Sequence, residues 1–175
     1  MTKLTFTLEK VPTPTGNMLV ITNGEGFLRT VDWEGYVARM HKLLRLHYGA
    51  DAVALVTTPS PSPARREIEE YLAGNLTAID ELPIKTGGTD FQRTVWAALR
   101  KIPAGQTITY GTLAVRIGRS NAVRAVGLAN GANPIGVVVP CHRVTGADGS
   151  LTGYGNGLDR KRWLLEHENV LGSLC

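Results

Sequence analysis

The stretch "VVVPCHRV" (137–144) places Cys141, His142 and Arg143 in a row at the end of an apolar run. A thiol becomes a useful nucleophile when a base or positive charge favours its thiolate, and His142 and Arg143 are groups of those kinds. Neighbours on a strand point to opposite faces, so direct contact between Cys141 and His142 requires Pro140 to end the strand and the chain to turn. A single water bridging the two side chains is the other arrangement. An imidazole base is generally oriented by a third group, and Glu168 in the last predicted helix is the candidate. The competing reading is an inert cysteine closing a buried core strand.

Such residues need a frame. "LTFTLEKV" alternates as a strand, "PTPTGN" has turn chemistry, and two short apolar runs flank the hairpin-like "NGEG". In "EGYVARMHKLLRLHYG", Tyr36, Met40, Leu43, Leu44 and His47 recur at helical spacing before Gly49. After the loop "TTPSPSP", Ser62 or Pro63 opens a second helix, "ARREIEEYLAGN". The Pro/Gly-rich "LPIKTGGTD" (82–90) has linker composition, which divides the chain into 1–86 and 87–175.

Beyond it, Thr89 and Gln92 fit a capping box, and Phe91, Val95, Leu99 and Ile102 share a helix face. "YGTLAVRIG" predicts a short helix ending at Gly118, and "SNAVRAVGLANG" a second with Ser120 as its N-cap. This pair has the outline of a helix-turn-helix. Its second helix is thin, built on Ala122, Ala125, Gly127, Ala129 and Gly131, with Arg124 as its one charge. Glycine costs a helix about 1 kcal/mol against alanine, so something must approach this backbone closely, either DNA or a neighbouring helix. It carries few base-reading side chains, which favours contact by shape and phosphate. A last helix, "DRKRWLLEHENV", starts at an Asp159 cap.

The formal charge of +4 is unevenly spread. Residues 1–86 hold nine Lys and Arg against ten Asp and Glu, whereas 87–175 hold ten against five. That asymmetry suggests that the second half meets a polyanion. Cys141 and Cys175 are the only cysteines, so neither a disulfide framework nor a CxxC metal site is expected, and no cofactor is implied. No apolar stretch is long enough to span a bilayer and the start lacks an apolar signal core, so a cytoplasmic protein is expected.

"ANPIGVVVPCHR", "RAVGLANGAN", "GYGNG" and "RKRWLLEHE" together resemble the O6-alkylguanine-DNA alkyltransferase family in its bacterial form. The resemblance covers residues 1–170 and is strongest over 87–168. It implies an α/β protein, with an N-terminal ribonuclease H-like antiparallel sheet and helices and a C-terminal helical domain with a helix-turn-helix. The implied activity is direct DNA repair: an alkyl group passes irreversibly, once per molecule, from O6-alkylguanine (and O4-alkylthymine) in duplex DNA to the protein's own cysteine after base flipping.

By the same resemblance Cys141 is the acceptor, His142 the base acting through a water, and Glu168 the residue polarising it. Asn133 orients this network, and Tyr110 donates to the departing guanine. Tyr154 packs on the flipped base, the Val144 carbonyl reads its exocyclic amine, and Gly155 and Asn156 border the alkyl pocket. Asn156 replaces a glycine common in the family. Arg124 fills the gap in the stack, while Ala125, Gly127, Asn130 and Gly131 complete a helix face for the minor groove. A monomer is implied, with cooperative assembly on DNA left open. Arg143 is expected to brace the loop. The alternative is a non-catalytic sensor of alkylated DNA; proteins of that type lack the acceptor cysteine.

Overall fold

The computed structural model describes residues 3–154 and 157–170. The chain divides into two units, Met1–Gly88 and Thr89–Cys175. In the first, β1 (Leu4–Thr13) turns at Gly16, whose φ of 113° suits glycine, into antiparallel β2 (Gly16–Thr22). The Asn23 side chain accepts from the amides of Glu25 and Phe27, both at 3.0 Å, and closes the loop to antiparallel β3 (Leu28–Trp33). Met40 and Leu44 of α1 (Val37–Tyr48) pack on Phe6, Leu19 and Ile21 of this sheet.

The sequence reading does not anticipate β4 (Val53–Val56), which pairs parallel to β1 and gives the order β3-β2-β1-β4. Four residues without alternation carry no local strand signal, and the pairing becomes available only once β1 is in place. α2 (Pro63–Leu72) starts at Ser62, whose side chain accepts the Arg65 amide at 3.1 Å, with proline in the first turn. The linker-like segment is anchored at its start, because the Leu28 amide donates to Pro83 and the Lys85 amide to Leu28.

In the second unit, α3 (Asp90–Leu99) opens on the Thr89–Gln92 capping box and buries Val95, Trp96 and Leu99. β5 (Ile108–Thr109) leads into α4 (Tyr110–Arg116), capped by the Thr109 side chain. The turn after α4 delivers α5 (Val123–Gly131), and the Trp96 indole N–H donates to the Ala129 carbonyl at 2.8 Å, fixing α5 on α3. β6 (Val144–Thr145) pairs parallel with β5, and α6 (Leu158–His167) is the last described element. The mixed α/β class is therefore the one expected, with a mainly antiparallel four-stranded sheet and six α-helices among the described residues.

Three local expectations are corrected. Ser120 is not the N-cap of α5; Ala122 is, because the turn 119–122 closes on itself through the Ala122 amide and the Arg119 carbonyl. Asp159 does not cap α6 either. Gly157 enters that helix at a φ of 94°, and Asp159 lies in the first turn, where its charge suits the helix dipole. Finally, 137–140 is no strand. The run is buried, but its hydrogen bonds are local, Val139 N–H to Ile135 and Cys141 N–H to Val139, and Val137 has a φ of 69°. For a β-branched residue that conformation costs about 1–3 kcal/mol and persists only where surrounding bonds enforce it.

Candidate active site

Tight turns, rather than a strand end, present the cysteine. Cys141–Arg143 form one 3-10 turn between Pro140 and β6. Cys141 is 7% exposed, His142 and Arg143 are buried, and the thiol lies outside any disulfide. His142 Nε2 lies 2.9 Å from Glu168 Oε2 at the C-cap of α6. Arg143 holds the same carboxylate with two bonds, Nε to Oε1 at 2.9 Å and Nη2 to Oε2 at 2.8 Å. Its Nη1 donates to the Ile102 carbonyl at 2.6 Å, just beyond α3.

Burial alone would raise the Glu168 carboxyl, but His142 and Arg143 outweigh it and hold the group well below the usual carboxylate range. A charged Glu168 makes His142 Nε2 the protonated nitrogen. Nδ1, buried and without a hydrogen-bond partner in the protein, then carries the lone pair. Burial also lowers the His142 pKa; Glu168 opposes this, while Arg143 and Lys161 reinforce it. The imidazole is therefore a neutral base near pH 7.

The first residue of α4 meets the loop before α6. Tyr110 donates its hydroxyl to the Thr152 carbonyl at 3.0 Å, beside Gly153, where an added Cβ would come within 3.2 Å of that hydroxyl. Burial and the charge of Cys141 raise the Tyr110 pKa against the hydrogen bonds it shares with Thr152 and Asn130, so the phenol keeps its proton. Val144 is fully buried, and its carbonyl accepts from Lys161 Nζ at 2.5 Å; the same ammonium donates to Thr152 at 2.7 Å.

Asn133 acts on the backbone before the cysteine. Its amide nitrogen donates to the Val139 carbonyl at 2.8 Å and its oxygen accepts the Ile135 amide at 2.9 Å. Val139 also accepts the Cys141 amide, so one side chain sets the turn that aims the thiol. Asn133→Ala strands the buried Ile135 amide, while the Val139 carbonyl keeps the Cys141 amide, and is expected to lose about 1–3 kcal/mol in urea unfolding. Cys141 alkylation by iodoacetamide should accelerate as the turn loosens.

Arg124, Ala125 and Gly131 lie on the exposed face of α5 with Leu128, which is 72% exposed. An added Cβ on Gly131 meets nothing within 4 Å, so packing within this unit does not explain that glycine. Gly127 is half-buried, and an added Cβ there would lie 4.0 Å from the Tyr110 ring. Asn130 is displaced from the expected DNA face: it is buried, its amide 3.4 Å from the Cys141 carbonyl. Ala129, beside it on α5, is buried too, its carbonyl held by Trp96. Tyr154 is buried near the start of α6. Gly155, Asn156 and Cys175 lie outside the described residues.

Lys161 and Thr152 were not anticipated. "RKRW" resembles a solvated charge run, yet Lys161 is fully buried. The usable signal is spacing: Lys161, Leu164, Leu165 and Glu168 stand at i, i+3, i+4 and i+7, and all four are buried. Among the described residues no group of three or more His, Cys, Asp or Glu side chains could hold a metal ion, and no helix is long and apolar enough to cross a membrane.

Residues 90–170 match the family described as 6-O-methylguanine DNA methyltransferase, DNA binding domain. The methylated-DNA–protein-cysteine methyltransferase of Salmonella typhimurium is 51% identical over 163 residues, 93% of this chain and 95% of that protein. The Mycobacterium tuberculosis protein of the same name is 56% identical over 115 residues, 63% of this chain and 68% of its own. The crystal structure of Mycobacterium tuberculosis OGT in complex with DNA gives a TM-score of 0.75 at 36% identity, covering 94% of this chain and 92% of that one. The O6-methylguanine-DNA methyltransferase of Pyrococcus kodakaraensis gives 0.74 at 27% identity, covering 94% and 99%. With its thiol, histidine and carboxylate gathered in the unit that this family shares, the chain belongs to the methylated-DNA–protein-cysteine methyltransferases.

Proposed function

We propose that the chain repairs O6-alkylguanine in duplex DNA by flipping the base into the second unit and moving its alkyl group onto Cys141. The carrying observation is the His142–Glu168–Arg143 network, which leaves a neutral imidazole with a free Nδ1 lone pair next in sequence to a buried thiol. A buried nitrogen of this kind is suited to a bridging water. The Cys141 proton passes through that water to Nδ1; the thiolate then attacks the alkyl carbon in line. The S–C bond forms as the C–O bond breaks.

The leaving purine takes a hydrogen bond or proton from Tyr110, and the thiol's proton ends on guanine by way of His142. A thioether has no easy leaving group, so each molecule reacts once. Tyr154 packs on the extruded base. The Val144 carbonyl, with one lone pair engaged by Lys161, has its second for the exocyclic amine. Arg124 fills the stack, and the exposed small-residue face of α5, with Ala125 and Gly131, lies in the minor groove. O4-alkylthymine presents an equivalent carbon–oxygen bond to the same thiolate. A monomer suffices for all these steps.

The test is intact-mass and peptide mapping after mixing with duplex DNA carrying one O6-methylguanine. The expected result is one methyl on Cys141, saturating at one per protein, with guanine restored and no transfer in Cys141→Ala. Tight binding with no mass change would overturn the assignment and favour the damage-sensor reading.

A further inference from the structure

Lys161 is the one fully buried lysine among the described residues of the second unit. Burying an ammonium is costly unless hydrogen bonds and a counter-charge compensate. Two of its three donors go to the Val144 and Thr152 carbonyls. None of the ion pairs among the described residues joins it to a carboxylate. Its electrostatic partner is Cys141, whose ionised form favours the ammonium. Arg143, the other buried cation here, is already committed to Glu168.

Thr152 accepts from two donors, Lys161 Nζ and the Tyr110 hydroxyl. If Tyr110 turns its hydroxyl to a leaving purine, that carbonyl loses one partner and keeps the other. A carbonyl stripped of its only partner would oppose the turn; a carbonyl still bound by an ammonium does not. The same ammonium bonds the carbonyl of Val144, three residues beyond Cys141.

We propose that Lys161 is a positioning residue for alkyl transfer, its buried ammonium stabilising the Cys141 thiolate and keeping the Thr152 carbonyl satisfied while Tyr110 serves the substrate. This rests on the assignment of Cys141 as acceptor and Tyr110 as donor. It adds a positive charge that the His142–Glu168 pair does not supply, since that pair carries a neutral base and a carboxylate already matched by Arg143. Charged or titratable neighbours of this network are Tyr110, Cys141, His142, Arg143 and Glu168. Burial pulls the Lys161 pKa down to about 8, against the opposing effect of Cys141, so the site holds its cation at neutral pH.

The experiment separates the two assignments. Methyl transfer by the native protein to O6-methylguanine duplex is measured first; no transfer there defeats the acceptor assignment itself. The rate of Cys141 alkylation by iodoacetamide is then followed by intact mass from pH 5 to 10, a readout needing neither DNA nor Tyr110. In Lys161→Met its midpoint is expected to rise by about one unit, a tenfold smaller thiolate fraction at a pH below both midpoints. Lys161→Arg should restore most of the shift. Methyl transfer by Lys161→Met should fall by at least the same factor, and Tyr110→Phe should cost less in that background than in the native protein.

A folded Lys161→Met with native thiol titration and native transfer overturns the proposal. Should that variant not fold, the native protein decides. By reciprocity, replacing the thiolate by a methyl thioether must lower the Lys161 pKa, as read by amine NMR before and after reaction with substrate. An unmoved lysine overturns the thiolate half of the proposal.

Discussion

Glu168→Gln is expected to lower stability by about 3–5 kcal/mol, the largest loss from any single side-chain change in the site. The carboxylate takes two bonds from Arg143 and one from His142, all three side chains being buried. Glutamine keeps one acceptor but turns two donors toward a guanidinium that has nothing else to neutralise it. The double change Arg143→Met with Glu168→Leu removes both charges and should recover much of the loss while still slowing transfer, because His142 then lacks its orienting partner. Urea unfolding of the three proteins checks this; a single variant within about 0.5 kcal/mol of the native protein, the scatter of ordinary surface changes, would contradict it. The pairing also sets an acid limit. A carboxyl held below its ordinary value of 4.5 contributes stability that is complete above that value and is lost as pH falls through the depressed folded value.

What sequence could and could not reveal follows from the range of the signals. The helices of the second unit were legible because their signals are local: the Thr89–Gln92 box and the apolar faces of α3 lie within one or two turns. The chemical residues Cys141, His142 and Glu168 were legible as types, and their roles came from the resemblance to a family. The shape of the turn before Cys141 was not. An apolar run such as VVV has strong strand propensity, and what overrides it is Asn133, whose two bonds to Val139 and Ile135 close a turn visible only in three dimensions. Lys161 was hidden because its neighbours Arg160 and Arg162 make it look solvated, although its spacing to Leu164, Leu165 and Glu168 marks the buried stripe. The burial of Asn130 was hidden for a related reason: a helix of alanines and glycines has little amphipathic contrast from which to orient it.

His142→Ala is expected to slow methyl transfer by about 10²–10⁴-fold, the usual contribution of a positioned general base. Its magnitude is distinguishable from damage to the fold because Arg143 still pairs with Glu168 in the variant, so the carboxylate keeps a bidentate partner. The pH profile carries the sharper test. In the native protein burial depresses the His142 pKa from 6.5, Glu168 restores part of it, and Arg143 and Lys161 depress it again. The base is therefore unprotonated at neutral pH, and the single-turnover rate should hold level across pH 7 and fall only on the acid side of 6.5. Stability follows the same sign: the unfolded chain takes up the histidine proton first, so the contribution is complete above 6.5 and is lost as pH falls toward the folded value. In His142→Ala both that acid limb and that slope should disappear, leaving a slower rate governed by the thiol and Lys161. A variant that keeps the native rate and the native acid limb would move the base to another group, and the free Nδ1 lone pair, next in sequence to the buried thiol, would have no part in the chemistry.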